Sequence, residues 1–499
     1  MNLLDKDLLS VQEARTLARD AKVAQNVLAT FNSEQIDKII RAMVKVALDN
    51  AVSLAEMAVN ETGFGKVTDK TTKNQLASQT LYDYIKDMKT IGIINEDTTK
   101  KIIEIAEPMG VLMGIIPSTN PTSTVIFKSI ISIKSRNGIV FSPHPSALGC
   151  TSQAAKLMHD AAVSAGAPKD IIGCISLPSM EGTDALMHAP EIALIIATGG
   201  SAMVKASYSA GKPALGVGPG NVPAYIERTA DIKKAVNNIL ASKTFDNGTI
   251  CASEQAVIVE SCIKDQVVAE FKRQHAYFMN EEETKKVTDS LFNKGFAMNA
   301  QLMGRSANEI ARKTGLAVPE GTSVLIGEQK GVGKEYPLSF EKLTTVLGFY
   351  TVDDWHEACD LCIKLLNNGG IGHSMAIHTE DRDMVLKFAT KPVFRILVNT
   401  PSTHGGVGFS TSLAPSFTLG CGTWGGSATS DNVTPLHLVN IKRVAYGVVD
   451  VFFDPNQNTS AQCAHDSAKS FTEKAGDVNT ENLAAIVTEV LRRLEKSGV

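Results

Sequence analysis

The residue in this chain best suited to covalent chemistry is Cys251, in the segment FDNGTICASEQ (245–255). Asp246-Asn247-Gly248 is a tight-turn sequence, and the cysteine follows it directly before a β-rich run. A thiol on such a loop can face a cleft and have its thiolate stabilised by backbone N–H groups, which makes it a nucleophile toward carbonyl carbon. The same local pattern also suits a buried structural cysteine, the commoner fate of the residue type. The other cysteines signal less. All eight stand at irregular positions (150, 174, 251, 262, 359, 362, 421 and 463). They form no disulfide framework, so reduced thiols in a cytoplasmic chain are expected. Cys359-x-x-Cys362 lies on a helical pattern with no second pair nearby and reads as two buried helix cysteines rather than a zinc or redox pair. Two glycine-rich stretches fail as phosphate loops. GVGPGN (216–221) lacks the third glycine of G-x-G-x-x-G and opens no helix, and GVGKE (331–335) has Glu335 where a hydroxyl residue is needed.

The elements that must position this cysteine follow from periodicity. Ile36, Ile39, Ile40, Met43 and Ala47 recur at helical spacing behind the N-cap candidates Asn32 and Ser33, giving a helix over 34–58. From about residue 108, β-rich runs at 111–116, 138–142 and 192–198 alternate with helical stretches, the pattern of a parallel sheet flanked by helices. A second series of strands falls at 255–260, 323–327, 345–352, 374–379 and 394–400. Two α/β lobes are expected, with a seam close to residue 250.

Composition narrows the function class. The 499 residues are 43% hydrophobic and 20% charged, with a net charge of −4. That balance does not supply the basic face nucleic acid requires. No apolar run reaches the length of a membrane span, and the N-terminus lacks the pattern of a signal peptide. After Asp450 a polar, aperiodic stretch (451–479) reads as a flexible linker. In the last segment, 480–499, Leu483, Ile486, Val487, Val490, Leu491 and Leu494 form one apolar stripe behind Thr480 as N-cap, an amphipathic helix.

Several long motifs, in order, carry a resemblance. They are AEPMGVLMGIIPSTNPTST (106–124), FKSIISIKSRNGIVFSPHP (127–145), ATGGSAMVKASYSAGKPALGVGPGN (197–221), FDNGTICASEQ, GGIGHS (369–374), RILVNTPS (395–402) and LGCGTWGG (419–426). From about residue 15 to 448 the chain resembles the aldehyde dehydrogenase superfamily, and within it the CoA-acylating branch. That branch includes the N-terminal half of bifunctional aldehyde-alcohol dehydrogenases and stand-alone acetaldehyde dehydrogenases. The resemblance implies an α/β fold with a Rossmann-like cofactor domain and an α/β catalytic domain joined by oligomerisation strands. The expected division is an NAD/CoA-binding domain at 1–245, a catalytic domain at 246–436 and an oligomerisation strand at 437–450. A second such strand lies near 98–107, which implies a homodimer or homotetramer.

The resemblance also implies roles. Cys251 is the nucleophile, Asn120 the side-chain amide that receives the oxyanion, and His373 in GGIGHS a contact for substrate or the CoA thiol. Ile115, Ile116, Pro117, Ser118 and Thr119 line the nicotinamide end. Thr198, Gly199 and Gly200 approach the pyrophosphate at a helix N-terminus. Gly218 lets the ring lie close to the backbone, and Glu341 holds the nicotinamide ribose. Ser142 stands where many hydrolytic members carry a lysine near the adenine ribose, flanked by Pro143 and by His144 on the adenosine side. Hydrolytic members activate water with a glutamate, and aligned on Gly220 and Pro223 this chain has Val217 at that position. The expected reaction is therefore oxidation of a short aldehyde, acetaldehyde first, to acyl-CoA with NAD as acceptor and CoA as co-substrate. Propionaldehyde, succinate semialdehyde and sulfoacetaldehyde are the alternative substrates. A catalytically silent scaffold is the rival from another class. No metal is expected, because the iron-dependent half of the bifunctional relatives has no counterpart here. The segment 480–499 suggests a docking helix for a bacterial microcompartment shell protein, or else a piece of the oligomer.

Overall fold

The computed structural model describes residues 5–293 and 296–452. Within them the chain begins with helices at Lys6–Leu28, Ser33–Asp49, Ala51–Thr62 and Val67–Gln75. Asn32 does cap its helix. Its side chain accepts from Gln35 N–H while Gln35 reaches back to the Asn32 N–H, and the apolar stripe from Ile36 to Ala47 is buried. The single helix expected over 34–58 is interrupted at Asn50, which ends one helix and begins the next.

Two parallel sheets follow. The first has five strands in the spatial order Ile172–Cys174, Gly138–Pro143, Val111–Ile116, Ile192–Thr198, Ala214–Val217. Numbered along the chain this is 3-2-1-4-5, the Rossmann-like order, and the direction of winding reverses between Val111–Ile116 and Ile192–Thr198. A crevice opens beyond the carboxyl ends of strands at such a reversal, because the loops leaving them turn to opposite faces. The helix Pro121–Lys134, which leaves the first strand, is buried along its whole length and carries the core between sheet and N-terminal helices. Pro121 starts it at a position where the missing N–H costs nothing. Within it the buried Lys128 donates to Ile115 O (2.7 Å) and Ile196 O (2.8 Å), tying together the carboxyl ends of the two strands that flank the reversal.

The second sheet has seven parallel strands: Tyr277–Met279, Leu325–Glu328, Val346–Val352, Glu254–Glu260, Val222–Ile226, Gly372–His378 and Val393–Val398, in spatial order. The change of sheet therefore falls between Val217 and Val222, ahead of the seam expected near residue 250. Helix Ile232–Thr244 packs on the second sheet through Ala235, Val236 and Ile239 and belongs with it. The crossover is the GVGPGN stretch, whose role as a passage between sheets is not a local motif. A third, three-stranded sheet joins Gly92–Asp97, Ile102–Pro108 and Val439–Ala445. Two of its strands match the expected oligomerisation segments; Gly92–Asp97 had no clear signal.

By contacts the described chain forms a main unit through Val444, and a small one of Thr99–Lys101 with the residues from Ala445 on. In the small unit Tyr446 N–H donates to Lys101 O (3.1 Å). No helix among the described residues is long and apolar enough to cross a membrane. The expected docking helix at 480–499, and the linker from 453, lie outside the described residues.

Lys128 gives a test of how the fold supports the crevice. Lys128→Ala removes both hydrogen bonds and leaves a buried void, an expected loss of about 2–5 kcal/mol of stability. The measurement is the shift of the urea unfolding midpoint, and an unshifted midpoint contradicts the role.

Candidate active site

The carboxyl edge of the five-stranded sheet and the amino edge of the seven-stranded sheet enclose a cleft of about 640 Å³. Its wall contains every residue singled out above except one: Ile115 to Asn120, Ser142 to His144, Thr198 to Gly200, Gly218, Cys251 and Glu341. His373 is the exception. It is fully buried, its Nδ1 lies 3.0 Å from Ser374 Oγ, and its Nε2 has no partner. Burial, with the Arg395 guanidinium second, pushes its pKa down to about 3, so it is a neutral imidazole set behind the cleft wall. It is not among the residues that line the cleft. A histidine two residues past a glycine turn reads the same in sequence whether it faces in or out.

Cys251 is partly exposed at the end of a strained loop. Asp246, Asn247 and Gly248 take φ of 48°, 51° and 77°, a run of left-handed residues that only small polar side chains and glycine tolerate. The loop then passes so close to the crossover that a Cβ on Gly220 would stand 1.7 Å from Cys251 O. Contrary to the thiolate expected from the loop sequence, burial pushes the thiol pKa up to about 12, helped by the Glu341 carboxylate and opposed by Arg395. The thiol is protonated in this state.

Asn120 stands at the N-cap of the helix Pro121–Lys134 but makes no side-chain cap bond, which leaves its amide for other partners. Nδ2 donates to Thr249 O and to Thr119 Oγ1, both at 3.1 Å, so its donor edge faces the loop of Cys251. Oδ1 accepts from Lys73 Nζ at 2.6 Å. Lys73 and its neighbour Lys70 both pair with the buried carboxylate of Asp246; Lys70 sits 2.9 Å from it and also donates to Thr119 O (2.8 Å). Asp246 further accepts from Lys66 N–H and from Thr249 Oγ1, and the two ammonium groups hold its pKa below the usual carboxylate value against the cost of burial. Sequence reasoning missed this cluster. Lys70 and Lys73 lie in VTDKTTKNQ, a polar segment that reads as a solvated helix.

The wall fits a dinucleotide. Ile115, Ile116, Pro117, Pro143, Met203 and Val217 offer flat apolar surface, and the helix Ser201–Ser209 opens at Thr198-Gly199-Gly200 with free space above both glycines. Thr198 Oγ1 is buried there without a hydrogen-bond partner. Glu341 is the only carboxylate among the described residues of the wall; it accepts from Gly220 N–H (3.1 Å), and burial lifts its pKa to about 7. Ser142 Oγ is engaged with Thr183 Oγ1 (2.9 Å), and His144 holds the following turn through Ser146. A second, narrow pocket of about 10 Å³ lies against Ile250, lined by Leu76, Phe245, Val407, Phe417 and the ends of Lys73 and His404. Arg395 is buried outside the walls of both pockets, with four of its five N–H groups donating to Asn432 Oδ1, His373 O, Gly420 O and Ser430 O.

The state of the thiol is measurable. Alkylation of Cys251 by iodoacetamide, followed by mass spectrometry of its peptide, is expected to accelerate about tenfold per pH unit from about pH 7 to 10. A plateau below about pH 9 contradicts a raised pKa.

Comparison with known proteins is consistent with this arrangement. The model of the aldehyde dehydrogenase family matches residues 5–409. The bifunctional aldehyde-alcohol dehydrogenase of Escherichia coli K12 is 49% identical over 442 residues, covering 87% of this chain and 50% of the relative, so the chain spans half the length of that protein. The solved structure of an acetylating aldehyde dehydrogenase from Geobacillus thermoglucosidasius superposes with a TM-score of 0.89 at 51% identity, covering 91% of this chain and 100% of the other. A propionaldehyde dehydrogenase from the fucose utilisation bacterial microcompartment of Clostridium phytofermentans gives a TM-score of 0.79 at 29% identity, covering 87% and 97%.

Proposed function

The chain belongs to the aldehyde dehydrogenase family, and on that premise we propose that it oxidises a short aldehyde to acyl-CoA with NAD as hydride acceptor. One observation carries the acylating reading. The cleft position where hydrolytic members carry a water-activating glutamate is held by Val217, a buried apolar residue of the wall.

The chemistry follows from the wall. Cys251 Sγ gives up its proton and bonds to the aldehyde carbon, and the carbonyl oxygen becomes an alkoxide. Asn120 Nδ2 and the Cys251 N–H are the donors that receive this charge, Asn120 releasing Thr249 O or Thr119 Oγ1 to do so. A nicotinamide cofactor would supply the hydride acceptor, and loss of hydride from the tetrahedral carbon leaves an acyl thioester on Cys251. Thr198, Gly199 and Gly200 would hold the cofactor's pyrophosphate, Glu341 the ribose, and Ile115 to Thr119 the ring side. With Val217 in place of a carboxylate, water in the cleft has no base at that position. A CoA thiol loses its proton more readily, attacks the thioester carbon and expels the Cys251 thiolate. The sum is aldehyde, NAD and CoA giving acyl-CoA, reduced NAD and a proton.

We read the narrow pocket beside Ile250, the residue before the nucleophile, as the seat of the aldehyde's tail, which favours a short, uncharged substrate. Its room is that of one water or a methyl group. Lys73 has each of its hydrogens engaged, by Asn120, Asp246 and Thr249, and Arg395 is committed elsewhere, so neither cation is free for a substrate carboxylate or sulfonate. Acetaldehyde therefore stands before propionaldehyde, with succinate semialdehyde and sulfoacetaldehyde last. Assembly as a homodimer or homotetramer is supported by the three-stranded sheet, whose last strand exposes Ile441 and Val444. The microcompartment setting of one structural neighbour supports a similar location here, with 480–499 docking on shell protein.

The deciding assay is NADH formation from acetaldehyde with and without CoA. Turnover that needs CoA, and its loss in Cys251→Ala, is expected. Equal rates without CoA, or an active alanine variant, sink the reading. Succinate semialdehyde is expected to show a kcat/KM at least about tenfold lower than acetaldehyde, the scale of one missing contact. Separately, removal of residues 455–499 is expected to leave activity in place and abolish co-sedimentation with shells; retained co-sedimentation rejects the docking role.

A further inference from the structure

Lys73 lies on a helix of the N-terminal segment, yet it touches the amide that faces the nucleophile loop. Its side chain is essentially without solvent contact. An ammonium group has hydrogens to give and no lone pair to offer, so the atom of Asn120 that meets it must be Oδ1. That contact fixes which way the amide points. With Oδ1 held by Lys73, Nδ2 is left to face Thr249 and the loop that ends in Cys251. Thr249 O, a carbonyl that can only accept, fixes the other end in the same sense, whereas Thr119 Oγ1 can donate or accept and does not discriminate.

The anchor is itself anchored. Asp246 pairs with Lys73 and Lys70, and accepts from Thr249 Oγ1 (2.7 Å) and Lys66 N–H (2.8 Å). One carboxylate therefore sets the lysine, and through it the amide, in register with the strained turn that precedes Cys251. Asp69, which accepts from Asp246 N–H (2.7 Å), brings a second carboxylate to the cluster, so Lys73 acts on the amide through its hydrogen bond rather than through a net charge. A charged donor on Oδ1 also polarises the amide and strengthens its N–H bonds to an anion.

We propose that Lys73 is a positioning residue for the oxyanion site, holding and polarising the Asn120 amide so that its N–H edge meets the oxygen of an aldehyde bound to Cys251. The proposal rests on the acylating reading above. In this role Lys73 acts on the oxyanion only through the Asn120 amide, apart from its place in the wall of the narrow pocket.

A double-mutant cycle tests it, with Lys73→Met, Asn120→Ala and the double variant assayed for CoA-dependent NADH formation from acetaldehyde. Lys73→Met is expected to lower kcat roughly 10²-fold, the scale of losing one oxyanion donor, with KM for NAD unchanged. The double variant is expected within about threefold of Asn120→Ala alone, because both changes remove the same interaction. The rate of Cys251 alkylation by iodoacetamide, which forms no oxyanion, is expected to stay within about threefold of wild type. If Lys73→Met does not fold, Lys73→Gln, which keeps an uncharged donor to Oδ1, takes its place in the same cycle with a smaller loss. Full multiplication of the two effects, or a kcat near wild type in the lysine variant, overturns the proposal while the wild-type activity stands. A wild-type protein that forms no NADH removes the premise, and the proposal falls with it.

Discussion

A carboxylate out of reach of water has to be matched, and in this protein the matching of Asp246 organises the site. Its side-chain partners come from the distant helix Val67–Gln75 and from its own loop through Thr249, and the lysines carry the set on to the turn at Thr119-Asn120. Leaving a buried charge without its partner costs about 3–5 kcal/mol, enough to consume much of the margin that keeps a domain folded. The loop of Cys251 is thus held in its left-handed turn by the same interaction that brings an N-terminal helix against the cleft.

Around that hub, the two parallel sheets divide the work. The five-stranded sheet presents the carboxyl ends of its strands, where winding reverses and backbone N–H groups at Thr198–Gly200 face open space. The seven-stranded sheet presents the amino edge from which Glu254–Glu260 departs, so Cys251 is delivered by the chain as it enters a strand. A crossover of a few residues links the sheets. It supplies Val217, Gly218 and Pro219 to the same cleft, and the cost of the close passage is that no side chain fits at Gly220.

Much of this was legible in the sequence because it is written in local signals. The β-rich runs at 111–116, 138–142 and 192–198 alternate with helices, and the structure has strands at Val111–Ile116, Gly138–Pro143 and Ile192–Thr198. The cleft-lining positions came from the resemblance, and fourteen of its wall residues from Ile115 to Glu341 other than Cys251 share one cavity with that cysteine. What escaped was long-range. Lys70 and Lys73 sit in a polar stretch whose burial depends on Asp246, over 170 residues away. The seam between sheets was misplaced because the turn before Cys251 is a louder signal than the crossover at Gly218–Asn221. His373 enters a strand just after a short glycine-rich turn that says nothing of which side of a wall it occupies, and the thiol of Cys251 owes its high pKa to burial that no loop composition reveals.

The contact between Gly220 and the carbonyl of Cys251 has a consequence for how the gene can vary. Any replacement of that glycine adds at least a methyl carbon where the backbone of the nucleophile already stands, 1.7 Å away. Every missense change of that codon therefore moves Cys251, whatever its polarity or size. Pro219 lines the cavity and can drift, and Asn221 is bound by its contacts with Ser339 O and Leu365 O, but position 220 admits one amino acid of the twenty.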